Sequence, residues 1–134
     1  MTLVVGLGCQ RGCDAQALLE LVDRALAEAG IDRQRVSALA TIERKQDEPG
    51  LLALAQILNV PLLCLSAARL SVYEERLSHK SAVAFAHTHC YGVAESAALA
   101  VAEQLGDAPA RLLITRRKSA RATFALAGVD NNPD

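Results

Sequence analysis

The sequence predicts a single α/β domain of three layers, a mostly parallel sheet of about five strands between helices, closed by a C-terminal antiparallel hairpin. Three observations predict it. Short aliphatic runs alternate with segments whose apolar residues recur every three or four positions, the pattern of a sheet wrapped by helices. Glycines, prolines and asparagine fall at the boundaries of these segments, where they stop or start them. The chain's 134 residues, 51% hydrophobic but only 3% aromatic, suffice for one domain with an aliphatic core that needs no disulfide or structural metal.

Residues 3–7 form an aliphatic run ending in glycine, as in a strand buried on both faces. Leu18, Leu19, Val22, Ala25, Leu26 and Ala29 then mark a helix, with Asp14 as N-cap and Gly30 just past its end. Residues 36–42 read as a second strand. After the charged segment 43–48 comes a second helix, with Asp47 as expected cap, Pro49 in its first turn and Leu51, Leu54, Ala55 and Leu58 as its apolar stripe. Asn59 closes it, and Pro61 restarts the chain in extended form for a third strand over 62–65. Residues 67–77 and 81–87 read as short helices and 87–92 as a loop. A long alanine-rich helix follows over 93–105, stopped by Gly106. Residues 112–115 and 122–127 form the hairpin, joined by a basic turn from Arg116 to Arg121. The domain is expected to span 1–128, with 129–134 a flexible tail.

Charge and composition exclude several partners. With 14 Lys+Arg against 15 Asp+Glu the formal net charge is −1, so neither nucleic acid nor an anionic membrane is an expected partner. No Trp, 2 Tyr and 2 Phe leave few platforms for stacking bases. The four cysteines, Cys9, Cys13, Cys64 and Cys90, form no CxxC pair, which fits a reducing cytoplasm. The first nine residues lack a basic segment ahead of a long apolar run, and the stretch 51–65 is interrupted by Gln56, Asn59 and Pro61. Neither suits a signal peptide or a membrane span. No cofactor is expected.

Five segments have residues suited to chemistry. Gly6-Leu7-Gly8-Cys9-Gln10-Arg11-Gly12 stands at a strand-to-helix junction, where backbone N–H groups and the helix dipole favour an anion. Its third glycine falls one position late for a dinucleotide fingerprint, and a tight turn that needs glycine for backbone reasons is an equal reading. Cys9 and Cys13 sit near that helix start, either as activated thiols or as small buried hydrophobes. In the loop after the second strand, Lys45, Asp47 and Glu48 could clamp an acid or move a proton. His87, His89 and Cys90 are metal-ligand types at poor spacing. Glu95 lies in the first turn of the alanine-rich helix, where a carboxylate favours the dipole, and the basic turn reads as a solvated hairpin tip.

Taken in order, Gly6-x-Gly8-Cys9-x-Arg11-Gly12, Ala40-Thr41-Ile42-x-x-Lys45-x-Asp47-Glu48-x-Gly50-Leu51, Val93-x-Glu95-x-Ala97-Ala98-Leu99, and Lys118 with Thr123-x-Ala125-x-Ala127 resemble the CobE/CbiG C-terminal family of cobalamin biosynthesis. The resemblance covers nearly the whole chain, and its length matches the stand-alone type. It implies a mixed α/β sheet and a place in corrin-ring synthesis, for the stand-alone form by the aerobic, late-cobalt route. Precorrins are flat macrocycles fringed by carboxylates, so a binder needs donors scattered around an apolar cleft. The expected function is therefore to bind a precorrin or hydrogenobyrinic-acid-like intermediate as carrier, stabiliser or partner of pathway enzymes. The expected contacts are Gly8, Cys9, Arg11, Gly12, Lys45, Asp47, Glu48, Glu95 and Lys118. Two alternatives stand beside it: a hydrolase opening a precorrin lactone, with Glu48 or Glu95 as catalytic groups, and a small nucleotide-binding regulatory module.

Overall fold

A computed structural model describes residues 1–77 and 92–130. The order of elements follows the expected alternation. Strand β1 (Thr2–Cys9) leads to helix α1 (Ala15–Glu28), β2 (Ala38–Ile42), α2 (Pro49–Leu58), β3 (Leu62–Leu65) and the short α3 (Ala67–Ser71). Helix α4 (Val93–Gly106) precedes the hairpin of β4 (Arg111–Lys118) and β5 (Ala122–Val129). The expected helix over 81–87, the loop over 87–92 up to Gly92, and His87, His89 and Cys90 lie outside the described residues.

The local signals act as their chemistry requires. The Asp14 carboxylate accepts from the Gln16 N–H at 3.3 Å, capping α1, and Gly30 takes the left-handed φ of +70° just beyond it. Asn59 ends α2 with φ 58°, and Pro49 occupies that helix's first turn. The N-cap of α2 is Glu48, not Asp47, one residue later than the sequence suggests. The Glu48 side chain makes no capping bond and is buried against the first loop, as described below, while Asp47 stays exposed.

The sheet runs β3-β2-β1-β5-β4. The pairs β1–β2 and β2–β3 are parallel, whereas β1–β5 and β4–β5 are antiparallel, so the sheet is mixed rather than mostly parallel. The reason lies in composition. A central strand is covered on both faces, and β5, ATFALAGV, is apolar along its length, whereas β4 ends in Arg116-Arg117-Lys118. The apolar strand takes the middle and the charged one the edge, where charge also blocks edge-to-edge pairing. Both hairpin strands are longer than expected. Arg116, Arg117 and Lys118 belong to β4 and the turn is reduced to 119–121, while Val129 pairs with Thr2 and is buried, so the expected tail begins no earlier than Asp130. Residues 131–134 lie outside the described residues.

Alternation along β1 divides the core in two. Leu3, Val5 and Leu7 face α1 and α2 together with Leu39, Phe124 and Leu126. Val4 faces α4 with Ala38, Ala40, Ala127 and the run Ala97–Ala102. Around Gly6 the second face is built from small side chains, and α4 lies correspondingly close to the sheet there. A Cβ placed on Gly6 would stand 1.8 Å from the Ala94 carbonyl oxygen. Four strands, β1 to β4, point their carboxyl ends to one edge of the sheet, and the N-termini of α1, α2 and α4 gather there with them.

The far end of α4 is tied by Glu103. Its carboxylate accepts from the Tyr73 hydroxyl at 2.8 Å, the Ala110 N–H at 2.8 Å and the Arg76 guanidinium at 3.0 Å. Arg76 also lies over the Tyr73 ring and donates to the Ala110 carbonyl. Burial alone would push the Glu103 carboxyl up, but these donors and the Arg76 charge together hold it below its ordinary value. A carboxylate whose folded pKa is depressed stabilises the fold above its unfolded pKa, and this contribution is lost as pH falls through the folded value. The variant E103Q is therefore expected to melt lower than the parent at pH 7. The gap should narrow as pH falls below about 4.5, the range in which the unfolded carboxylate protonates. Thermal melts across that range check it, and an unchanged gap would sink the assignment.

Candidate functional site

The candidate site is the carboxyl edge of the sheet, where two loops lock together. After Cys9 the chain turns through Gln10 to Cys13, with Gly12 at φ +78°. The Gln10 N–H donates to the Arg121 carbonyl at 2.9 Å and the Cys13 N–H to the Gln10 carbonyl at 3.1 Å. The Gly12 N–H donates to Glu48 Oε2 at 3.1 Å, and Lys45 Nζ stands 4.0 Å from Glu48 Oε1. Glu48 is only 8% exposed, so a carboxylate of the chain itself occupies the place where the glycine-rich turn would receive an anion. The two loops also meet backbone to backbone: a Cβ on Gly50 would stand 2.1 Å from the Cys13 carbonyl oxygen. The buried Thr41 hydroxyl donates to the Leu7 carbonyl at 2.7 Å, tying β2 to β1 immediately below the loops.

Gly6 and Gly8 are strand residues. The missing side chain of Gly6 admits α4, which lies over it at Ala94 and Ala98, whereas a Cβ on Gly8 would stand 2.8 Å from Thr123 Oγ1 of the neighbouring strand β5. Gly6 is thus covered by α4 and the Gly12 N–H is bonded to Glu48, while Gly8 stays half-buried beside Thr123. The thiols are poor nucleophiles. Burial first, then the neighbouring Cys13 thiol and Glu48, push the Cys9 thiol up to about 12 against the opposing pull of Lys45. Burial likewise raises Cys13, with Arg121 pulling the other way. Both behave as small core residues.

On the opposite side of the sheet edge, Glu95 is 1% exposed and its Oε2 accepts from the Arg116 N–H of β4 at 2.8 Å. Its role exceeds dipole compensation: it joins the first turn of α4 to the edge strand. Lys118 pairs with Thr123, and Thr123 pairs with Gly8, so the three lie in one row across the sheet. The structure thus brings Gly8, Cys9, Arg11, Gly12, Lys45 and Glu48 together, places Lys118 along the same edge and Glu95 above it, and leaves Asp47 outside. Arg116, Arg117 and Arg121, dismissed in sequence as a solvated tip, join them. The Arg121 guanidinium donates to the Arg11 carbonyl at 3.2 Å, holding the hairpin tip against the first loop.

The edge is cationic on its hairpin side. Arg11, Arg116, Arg117, Lys118 and Arg121 contribute five of the chain's 14 Lys+Arg there, and among the described residues none of the five takes part in an ion pair. Beside them, α1 and the hairpin tip enclose a groove of about 330 Å³ lined by Cys13, Asp14, Leu21, Arg24, Ser119 and Arg121. A larger one, about 450 Å³ and bordered by Arg33, Val36 and Ile57, opens elsewhere on the surface, outside this cluster. Among the described residues no group of three or more His, Cys, Asp or Glu could hold a metal ion, and no helix is long and apolar enough to cross a membrane.

A three-layer α/β domain with a mixed sheet and a cation-fringed carboxyl edge is the class that fold and site define. The chain belongs to the family described as cobalamin synthesis G C-terminus, whose model matches residues 3–127. It is 41% identical over 126 residues to the protein CobE of a Sinorhizobium species, covering 94% of this chain and 79% of that one. The crystal structure of CobE, a protein from the cobalamin (vitamin B12) biosynthetic pathway, superposes with a TM-score of 0.92 at 48% identity, over 96% of this chain and 90% of that one. A cobalt-precorrin-5A hydrolase of Priestia megaterium is 32% identical over 125 residues, but those residues span only 32% of its length. The family resemblance read from the motifs is thereby confirmed, and with it a place among cobalamin biosynthesis proteins.

Proposed function

We propose that the protein binds a carboxylate-rich precorrin or corrinoid intermediate across the carboxyl edge of its sheet and holds it for the other corrin-pathway enzymes of the cytoplasm. One observation carries this reading. In a chain of net charge −1, Arg11, Arg116, Arg117, Lys118 and Arg121 lie along one edge with no ion-pair partner among the described residues. Unneutralised guanidinium groups suit planar carboxylates, which they engage by two parallel hydrogen bonds. Acetate and propionate groups around a macrocycle's rim would meet such a row, its flat face lying over Gly8, Thr123 and the first turn of α4. Lys45 acts indirectly, holding Glu48 and so the Gly12 turn that carries Arg11.

The hydrolase reading has relatives in its favour, but the described candidates support it less well. Among the described residues the Glu48 and Glu95 carboxylates are buried and each is engaged by a backbone N–H, and burial pushes the Cys9 thiol up to about 12, which disfavours a thiolate nucleophile. The deciding experiment is an absorbance titration of the protein with hydrogenobyrinic acid. A saturable shift near one ligand per chain is expected. The corresponding diamide, with two carboxylates neutralised, should bind at least about tenfold more weakly, since each charge-assisted contact contributes roughly 1.5 kcal/mol or more. No shift at millimolar ligand, or equal binding of acid and diamide, would overturn the reading.

A further inference from the structure

We propose that Glu95 is a positioning residue that sets which face of the sheet Lys118 is on, an inference that rests on the binding function above. Strand β4 takes seven steps from Arg111 to Lys118 while its partner takes five from Gly128 to Thr123, with register shifts between Leu112 and Ile114 and again between Ile114 and Arg117. The second shift contains one extra residue on β4. A strand alternates its side chains, so an extra residue exchanges the faces of everything beyond it.

The consequence can be followed residue by residue. Ile114 is opposite Leu126 and belongs to the core under α1 and α2. Regular alternation from Ile114 would place Arg116 and Lys118 on that same face. With the extra residue, Arg117 comes opposite Phe124, another member of the α1 core, and Lys118 comes opposite Thr123. Thr123 faces α4, since its Oγ1 lies over Gly8 where Val93 also packs. The bulge therefore puts Lys118 on the α4 side and Arg117 on the α1 side, so that cations line both rims of the edge.

A bulge leaves a backbone N–H without its ladder partner, and here that group is supplied with one. The Arg116 N–H, inside the shifted stretch, donates to Glu95 Oε2 at 2.8 Å. The acceptor is a nearly fully buried carboxylate on the helix that packs most closely on the sheet. Backbone amides at an edge are otherwise free to re-pair by one residue, and a charged acceptor in a buried setting binds such an amide strongly. Glu95 thus holds the irregular register that orients the two terminal cations.

The test is a double-mutant cycle with hydrogenobyrinic acid as ligand. E95D keeps the charge but shortens its reach by one methylene, and E95Q keeps an acceptor at full reach. K118A alone is expected to weaken binding about tenfold, as the loss of one charge-assisted contact. E95D should do the same, K118A should then cost less than about threefold more in the E95D background, and E95Q should recover most of the affinity. Purely structural damage by E95D would leave the cost of K118A intact. Additive losses, or E95D binding like the parent, would overturn the proposal. Where E95D does not fold, Glu95→Met fills the volume without an acceptor and takes its place in the cycle. Independently, NMR of the parent protein must show the Arg116 amide protected from exchange and Lys118 close to Thr123; an unprotected amide, or Lys118 close to Phe124, refutes the pin. A K118A variant that binds like the parent would instead count against the binding function, leaving those NMR contacts to judge the bulge.

Discussion

Gly6→Ala is expected to be among the most damaging single-methyl additions in this protein, lowering its melting temperature by on the order of 10 °C. The new Cβ would stand 1.8 Å from the Ala94 carbonyl oxygen and 2.9 Å from the Ala98 Cβ, a backbone obstacle that no rotamer change relieves. Helix α4 must back away by more than 1 Å to restore normal contact, and a gap of even about 1 Å forfeits roughly half of each dispersion contact across it. Those contacts are many: residues 94–102 are all buried, and next to Gly6 the sheet presents Val4, Ala38, Ala40 and Ala127, side chains too short to extend and follow. Overpacking of this kind costs about 3 kcal/mol, a large part of the 5–15 kcal/mol that holds a domain of this size. The comparison is Gly30→Ala, where nothing lies within 4 Å and only the positive φ of +70° is unfavourable. That change should cost about 1 kcal/mol. Paired thermal melts decide it: a G6A shift no larger than that of G30A would mean that α4 does not rest on Gly6.

Most of the local architecture was legible because its signals are local. Asp14, Gly30, Pro49, Asn59 and Pro61 each act within a few residues, through a cap, a positive φ or a missing N–H, and each acts where the sequence suggests. Strand order is another matter. Whether β4 or β5 lies against β1 depends on which is apolar on both faces, and that comparison is lost when Arg116 to Lys118 are assigned to a turn. The glycines were ambiguous for a similar reason. A glycine that opens an anion cradle and one that admits a helix look alike in sequence, and only the Ala94 carbonyl over Gly6 separates them. Glu48 and Glu95 could be recognised as important by motif, but their roles could not. Each carboxylate accepts an amide far along the chain, at Gly12 and Arg116, and no spacing rule anticipates such a pair. The useful signal that was present is the basic run itself: four positive charges in residues 116–121, with no acidic residue among them, are more than an exposed tip requires.

The double reversal Arg11→Glu with Lys118→Glu is expected to abolish measurable binding of hydrogenobyrinic acid, lowering affinity by roughly a thousandfold. Two unit charges at contact distance interact by about 1 kcal/mol in a fully aqueous setting, so turning an attraction into a repulsion changes binding by about 2 kcal/mol per site. The partly excluded environment of the edge raises that figure, and salt lowers it. The two residues lie on separate segments, one in the loop after β1 and the other at the end of β4, so their effects should nearly add. Together they remove about 4 kcal/mol, close to a thousandfold. Neither side chain is buried, which keeps the fold out of the result: the melting temperature should stay within a few degrees of the parent. Raising the salt concentration should likewise weaken binding by the parent, because the attraction between its cations and the carboxylates is screened. Retained affinity with an unchanged salt dependence would mean that the macrocycle is held elsewhere, and the groove between α1 and the hairpin tip, lined by Arg24 and Arg121, would be the next surface to reverse.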